Sequence, residues 1–450
     1  MKVIKPNELM GLDGSFSRAS TATYFDINKT MQTAAVNQPR FGYNPATGAF
    51  EGLIYEPSRT NILLNSATLS TQTRTVTTTT TYTLSFYGTG TIVLSGAYSA
   101  TVVGIGAYPA NRKSITFTTT STSLTLTVTG SVQYAQLEVG SNATSYIPTT
   151  SVAVTRSADS VTGSGLMYST VTDPNALWSS TVSYTQGQKV RYNNHIYESL
   201  SASANLNRQP DISPTWWLDI GVDNIHAALD TQISTISTAT TEMTFVVKPG
   251  VIDSVALIDM DATIAEIAVI DPTVGLVYSS TAGLSGATIY DWYQYFFYDP
   301  LLKRTQAIFY SIAPYVDALV TIRLRASTGT TVSLAQAIFG SLQTIGTTQY
   351  GANVGIIDYS TKETDIYGTT TFVERAFSKR LNASVFINNA DLNRVQNFLY
   401  SIRAKPSVWI ASDDPTYEEA LIVYGFYRDF STEIAYPTTS MCGLEIEGLT

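Results

Sequence analysis

The chain has 450 residues, 44% of them hydrophobic and only 14% charged, with a formal net charge of −9, two histidines and one cysteine. That length predicts about three domains, or four small ones, with enough apolar material for a substantial core; the acidic balance and the lack of any dense basic run exclude a nucleic-acid surface, which rests on Lys and Arg. One cysteine excludes an intrachain disulfide, no apolar run approaches the ~20 residues that span a bilayer, and Met1–Pro6 lacks the apolar stretch of a signal peptide.

Polarity is carried instead by Thr, Ser, Asn and Gln, and the 28 tyrosines outnumber the 26 lysines and arginines. Thr and Tyr favour strands, and neutral polar groups among aromatics suit neutral polar ligands such as sugars. Residues 1–60 read as an N-terminal attachment module. It contains the run RASTATYFD (Arg18–Asp26) and then PRFGYNPATGAFEGLIYEPSRTN (Pro39–Asn61). Asn44–Gly48 is turn chemistry. Phe41, Tyr43, Phe50, Leu53, Ile54 and Tyr55 flank it as short apolar strands, which predicts a hairpin. Glu56 and Arg59 are expected to pair across the next turn, either as a surface salt bridge of little energy or as a fixed joint between modules.

Residues 61–162 read as a β-sandwich. Strands are expected at Thr81–Tyr87 and Thr91–Leu94, joined by Gly88–Gly90, and Ser114–Val132 repeats the pattern. Phe117, Leu124, Leu126 and Val128 are the inward candidates, with threonines facing out. The segment QYAQLEVGSNATSYIPTTSVAVTRSAD (Gln133–Asp159) opens as an alternating strand. Tyr134, Gln136 and Glu138 point one way, Ala135, Leu137 and Val139 the other. Gly140 ends it, and a return through Tyr146–Pro148 and Val152–Val154 leads to Arg156 and Asp159. Gln133–Asp159 resembles the close of a jelly-roll domain found in many bacteriophage and prophage tail proteins. The two upstream runs resemble the module that precedes that jelly roll.

Residues 163–175 read as a linker, with Gly163, Gly165 and then Asp173–Asn175. Residues 176–221 form a distinct small β module, into which Trp178, Tyr184, Tyr192, Tyr197, Trp216 and Trp217 crowd. Asn193-Asn194 predicts a tight hairpin between Lys189–Tyr192 and His195–Ser199. So small a module needs aromatics for a core, and Trp178 and Tyr197 are assigned there. A pyranose ring also presents a flat apolar face on which an aromatic ring can stack. Trp216 and Trp217 are the leading candidates for that contact, Tyr184 and Tyr192 the next. Adjacent strand residues face opposite ways, so at most one of the tryptophan pair should be buried. The succession Trp178, Tyr184–Gly187, Val190–Tyr192, Ile196-Tyr197, Trp216-Trp217 resembles small carbohydrate-binding modules of the chitin-binding type.

Residues 222–345 read as a second sandwich. Met243–Met260 is expected to be strand, Pro249-Gly250 turn, strand, and Ala265–Ser280 repeats this around Asp271-Pro272. The aromatic run Ile289–Tyr298 is assigned to a core strand and an inter-module contact. Thr321–Arg325 and Val332–Phe339 complete the set. Residues 346–450 read as a C-terminal β domain with strand material in Thr361–Phe377 and one helix in Ala390–Pro406. There Leu392, Val395, Leu399 and Ile402 recur at helical spacing, Asn389 caps the start and Pro406 follows the end. The helix should pack on strands at Ser407–Ala411, Ala420–Asp429 and Cys442–Gly448. The pattern Arg403–Asp414, Val423–Phe430, Leu444–Leu449 also resembles the C-terminal part of phage tail proteins.

No catalytic constellation emerges. His195 sits in a tight turn and reads as a surface hydrogen bonder. His226, near Asp223 and Asp230, lacks the further ligands of a zinc site. Asp413-Asp414 and Glu418-Glu419 read as a turn and a solvated edge rather than a glycosidase pair. Asp259, Asp261 and Asp271 lack EF-hand spacing, and no Gly-rich phosphate loop is present. Cys442 reads as a small buried residue beside Met441. The expected protein is therefore mainly β, with tandem jelly-roll-like sandwiches, a small aromatic β module and a C-terminal β domain carrying one helix. No enzyme activity, metal or cofactor is expected.

The resemblance covers most of the chain. It implies a virion protein of the tail, baseplate or fibre, made in the host cytoplasm, with other tail proteins and bacterial surface glycans as partners, and a homotrimer. Adhesion by presented surfaces, multiplied through effective concentration, is the expected mechanism. Purely architectural docking and surface-polysaccharide hydrolysis are the alternatives.

Overall fold

The computed structural model describes residues 1–9, 12–202, 204–284, 292, 296, 304–364, 367–412, 420–434 and 436–449. It is mainly β, and the alternation of threonine with Leu, Phe and Val explains the first sandwich. A four-stranded sheet in the order Ala100–Val103, Thr91–Gly96, Ser123–Thr129, Gln72–Thr75 faces a three-stranded sheet in the order Lys113–Thr118, Thr81–Tyr87, Gln133–Val139. Leu84, Phe86, Ile92, Leu124, Leu126 and Leu137 fill the space between them. Phe117 is buried as expected, and Val128 is half-buried. Outward threonines pair across strands, as Thr73 with Thr125 at 2.9 Å and Thr83 with Thr116 at 2.9 Å. Such pairs are a modest source of sheet stability. Thr81–Tyr87 and Thr91–Gly96 lie in opposite sheets, so Gly88–Gly90 is a crossing and not a hairpin. Gly88 has φ +117°, and a Cβ there would meet the Ser131 carbonyl oxygen at 2.1 Å, which only glycine avoids.

The second sandwich places the sheet Gly165–Ser169, Glu242–Lys248, Leu319–Arg325, Ile264–Asp271, Gly275–Gly283 against Ala307–Tyr310, Ser254–Asp261 and Thr331–Thr344. Phe245, Ile267 and Ile322 meet Leu257, Leu334 and Phe339 in its core. Two expectations need correction. Gly165–Ser169, read as linker, is an edge strand on Glu242–Lys248. The strands flanking Pro249-Gly250 form but belong to opposite sheets, whereas the hairpin at Asp271-Pro272 pairs as expected. The Asp271 carboxylate accepts the Thr273 and Val274 amides at 2.8 and 2.9 Å, which closes that turn.

One sheet runs on into the C-terminal unit. The strand Lys2–Pro6 pairs with Thr331–Thr344 on one side and Ser407–Ile410 on the other. Both its faces are buried, Val3 in the C-terminal core and Ile4 in a second apolar cluster. The helix spans Leu392–Ser401 after a 3-10 turn at Asn389–Asp391. Val395, Leu399 and Ile402 pack on Leu381, Trp409 and Leu444. Asn389 does not cap the helix: the residue before it is Asp391, which makes no side-chain cap bond, and the 3-10 turn is capped by Asn388, whose side chain accepts the Ala390 amide at 3.0 Å. Asn389 instead donates to the Tyr436 and Pro437 carbonyls. Cys442 is fully buried, and burial pushes its thiol pKa up. Of the run Ile289–Tyr298 only Trp292 and Phe296 are described, both exposed and stacked on each other. Asp413, Asp414, Glu418 and Glu419 lie outside the described residues.

Candidate glycan-binding module and the joints around it

The small module is built on the hairpin Lys189–Tyr192/His195–Ser199, with Trp217–Val222 added to its second strand. Asn193 and Asn194 both have positive φ, 47° and 67°, as a two-residue hairpin loop demands. The order of the sequence is thereby enough to bring the aromatics together. Tyr184, Val190, Tyr197 and Trp217 form the core, with Trp178, Tyr192 and Trp216 packed on it. Burial raises the Tyr197 phenol pKa, with Asp219 adding to the effect.

The four candidate contact residues separate into two kinds. Trp217 is 2% exposed and its indole N–H donates to the Arg208 carbonyl at 2.8 Å. Tyr184 is also buried, lies edge-on to Trp217, and its hydroxyl accepts the Ser179 amide at 2.8 Å. Neither offers a ring face to a ligand, which corrects their assignment as surface platforms: the module's small volume takes both for its core. Trp216 and Tyr192 are half-buried. The Arg208 guanidinium sits 4.9 Å from the Trp216 ring centroid, a cation–π contact. Asp211 links this side to the hairpin tip, accepting from Gln209 at 2.9 Å and Asn193 at 3.2 Å. Trp216 is thus a partly open ring with a cation over it, and the Asp211 carboxylate joins the Gln209 amide to that of Asn193 at the hairpin tip.

At the base of the module both histidines of the chain line one cavity of about 100 Å³, together with Leu9, Leu12, Leu166 and Asn194. His195 lies 2.9 Å from the Asp219 carboxylate. His226 holds the Asp223 carboxylate at 2.6 Å through Nδ1 and faces Asp13 at 3.2 Å through Nε2. Both ring nitrogens meet carboxylate oxygens, an arrangement that favours the doubly protonated imidazolium. Burial pulls its pKa down, but Asp223 and Asp13 outweigh that and hold it above the ordinary 6.5. Burial likewise works against the Asp223 carboxylate, and His226 and Arg191 overcome it, so its pKa is lowered. Arg191 of the hairpin reaches Asp223 at 3.5 Å, and Asn194 donates to Asp13 at 3.0 Å. These contacts hold the module to the N-terminal segment and to the loop that follows it.

A second joint lies under the N-terminal module, where the sequence pointed only to Glu56 and Arg59. Glu56 pairs instead with Arg40 at 3.0 Å and Arg156 at 2.6 Å, while Arg59 faces Glu138 at 3.8 Å. Asp159 receives Arg18 at 3.1 Å and Arg40 at 2.6 Å, with all three side chains buried. Ser145 donates to Glu56 from both its amide and its hydroxyl, at 2.7 and 2.6 Å. Burial raises the Glu56 pKa, yet Arg156 and Arg40 more than reverse it and leave the carboxyl below its usual value. Burial lowers the pKa of Arg18 and of Arg156.

This network explains the strand Gln133–Val139. Ala135 and Leu137 enter the sandwich core, but Gln136 and Glu138 are buried as well, under the 144–147 segment. Glu138 accepts from Thr144 and Gln136, and the Ile147 amide donates to Gln136. Val139, on the same face as Ala135 and Leu137, is 49% exposed because the strand ends there. The N-terminal hairpin also packs on the second sandwich, where the Tyr43 hydroxyl donates to Glu266 at 3.0 Å and Leu53 joins Val246 and Leu319. Among the described residues no group of three or more His, Cys, Asp or Glu is placed to hold a metal ion, and no helix is long and apolar enough to cross a membrane. No protein-family model matches the chain, and no curated protein matches it.

Proposed function

We propose that this chain is a structural protein of a bacteriophage virion, in the tail, baseplate or fibre, and that it adheres to a host-surface glycan or receptor without turning it over. The observation that carries the adhesive part is the half-buried Trp216, with the Arg208 guanidinium 4.9 Å from its ring centroid, on a module clamped by ionic contacts. Its ring supplies an apolar surface, and Arg208, Gln209 and Asp211 supply groups that can read hydroxyls. The phage assignment rests on the resemblance of Arg18–Asp26, Pro39–Asn61 and Gln133–Asp159 to tail-protein modules. Weak sites of this kind gain avidity from copies arrayed on a particle, and other virion proteins are the expected neighbours.

The test is a glycan array probed with the full chain and with Trp216→Ala. Binding by the parent and a loss of tenfold or more in the variant is the expected result. A full chain that binds no glycan, or a variant that binds as well as the parent, overturns it. A second reading has its own support: Ile212, Leu218 and Ile220 of this module are 72%, 49% and 41% exposed. Aliphatic surface of that kind suits a protein partner better than a sugar, so purely architectural docking is the alternative that a negative array favours.

A further inference from the structure

The outer face of the sheet Lys113–Thr118, Thr81–Tyr87, Gln133–Val139 is roofed by the N-terminal hairpins and the 143–146 segment, and a cleft of about 280 Å³ remains between them. Tyr24, Phe25 and Tyr146 give it aromatic sides. Two groups on its floor lack the partners their chemistry calls for. Tyr87 is 3% exposed, yet its hydroxyl makes no hydrogen bond among the described residues. Burial raises its pKa, so the hydroxyl keeps its proton and remains a donor. Arg112, at the head of the neighbouring strand, meets no carboxylate among the described residues. Its guanidinium donates to the Thr144 carbonyl at 2.6 Å and to the Ser85 hydroxyl at 2.7 Å, and it lies 5.9 Å from the Tyr87 ring centroid. Its buried Nε has no partner. The two bonds fix the guanidinium and leave each terminal nitrogen a second N–H. Polar and charged groups taken out of water in this way are normally paired.

We propose that this cleft is a binding site for a small hydroxylated carboxylate, about the size of one sugar ring, held by Arg112 and Tyr87. A guanidinium takes a carboxylate through two parallel N–H groups, and the Tyr87 hydroxyl adds a third donor beside them. Glu51 lines the same cleft. It accepts the Asn44 amide at 3.0 Å and pairs with no cation among the described residues, so it is open to a ligand hydroxyl. Charge selects a monoanion. Around the cleft Arg18, Arg40, Arg156 and Arg112 stand against Glu51, Glu56 and Asp159, a surplus of one positive charge. Arg59 with Glu138 and Lys29 with Asp26 leave that surplus unchanged. A phosphate dianion would exceed it and would face Glu51 and Glu56. The chain as a whole carries −9, so a positive surplus here is local to the cleft.

The experiment is isothermal titration calorimetry on the full chain, with sodium glucuronate, glucose and sodium benzoate as probes. Glucuronate should bind, and glucose should bind about tenfold more weakly or worse, the cost of losing hydrogen bonds between charged groups. Tyr87→Phe keeps the ring and removes a hydroxyl that bonds nothing in the fold. It should weaken glucuronate binding severalfold with no change in melting temperature. Arg112→Gln should abolish the binding. Trp216→Ala should leave it intact, so failure of the adhesive reading at the aromatic module leaves this site standing. Benzoate carries the carboxylate without hydroxyls, and benzoate bound as tightly as glucuronate would overturn the hydroxylated class. A parent that takes up no glucuronate at millimolar concentration overturns the proposal, as do equal binding of glucose and binding that neither Arg112→Gln nor Tyr87→Phe weakens.

Discussion

Two ionic joints hold the modules of this chain, and they are built from different chemistry. The joint of Arg18, Arg40, Glu56, Arg156 and Asp159 is deeply buried and uses only guanidinium and carboxylate groups. The joint of Asp13, His226, Asp223 and Arg191 is partly open, with Asp13 46% exposed, and turns on an imidazole. The first holds no histidine, the side chain whose ordinary pKa lies near neutral pH. The second changes charge in the range where histidine titrates. The first therefore reads as a weld between the N-terminal module and the first sandwich, the second as a clasp on the aromatic module.

Breaking the weld should have the largest effect. Asp159→Asn leaves Arg18 and Arg40 buried against an uncharged partner, and removing one member of a buried ion network costs about 3–5 kcal/mol. Differential scanning calorimetry of the variant should show a clearly lowered melting transition. An unchanged transition would mean that the network contributes no net stability. Glu56 predicts the acid limb. Its carboxyl is favoured as carboxylate in the folded state, with a pKa below the ordinary 4.5. Its contribution is thus present above pH 4.5 and lost as pH falls through the lowered value. Glu56→Gln should therefore flatten the stability profile on the acid side, with a smaller loss at pH 7 than Asp159→Asn, because the Glu56 side chain keeps 16% exposure.

The contrast also marks what the sequence reveals. Local patterns are legible: Thr81–Tyr87, Lys189–Tyr192 and His195–Ser199 form at the expected bounds, and one helix forms around Val395 and Leu399. Long-range pairing is not. Lys2–Pro6 is too short to show a period, yet it lies between strands more than 330 residues away. Gly165–Ser169 hides among turn-forming glycines. The weld is visible only as arginines and acids in otherwise charge-poor runs. That signal marks Arg18, Arg40, Arg156 and Asp159 as unusual, but nothing in spacing says that Arg40 rather than Arg59 meets Glu56. In the small module the sequence located the aromatic cluster and allowed at most one of the tryptophan pair to be buried. It did not say which, because that depends on the bulge between Ile196 and Tyr197 that sets the register of the third strand.

The clasp gives the subtlest test, since it changes with pH instead of with temperature. The His226 pKa is raised by Asp223 and Asp13 against the effect of burial. A raised folded value means that the contribution is complete below the ordinary 6.5 and fades as pH climbs through the higher folded value. Hydrogen exchange of residues 176–221 should thus quicken between neutral and mildly alkaline pH in the parent beyond its intrinsic pH dependence. His226→Asn removes the titrating group while keeping a hydrogen-bonding side chain. In that variant the module should already exchange faster at pH 6, and the extra pH dependence should disappear. The weld, which holds no histidine, should show no change over the same range. A variant that keeps the parent's pH profile would show that the clasp draws its pH response from another group, with His195 and its Asp219 partner on the same cavity as the next residues to substitute.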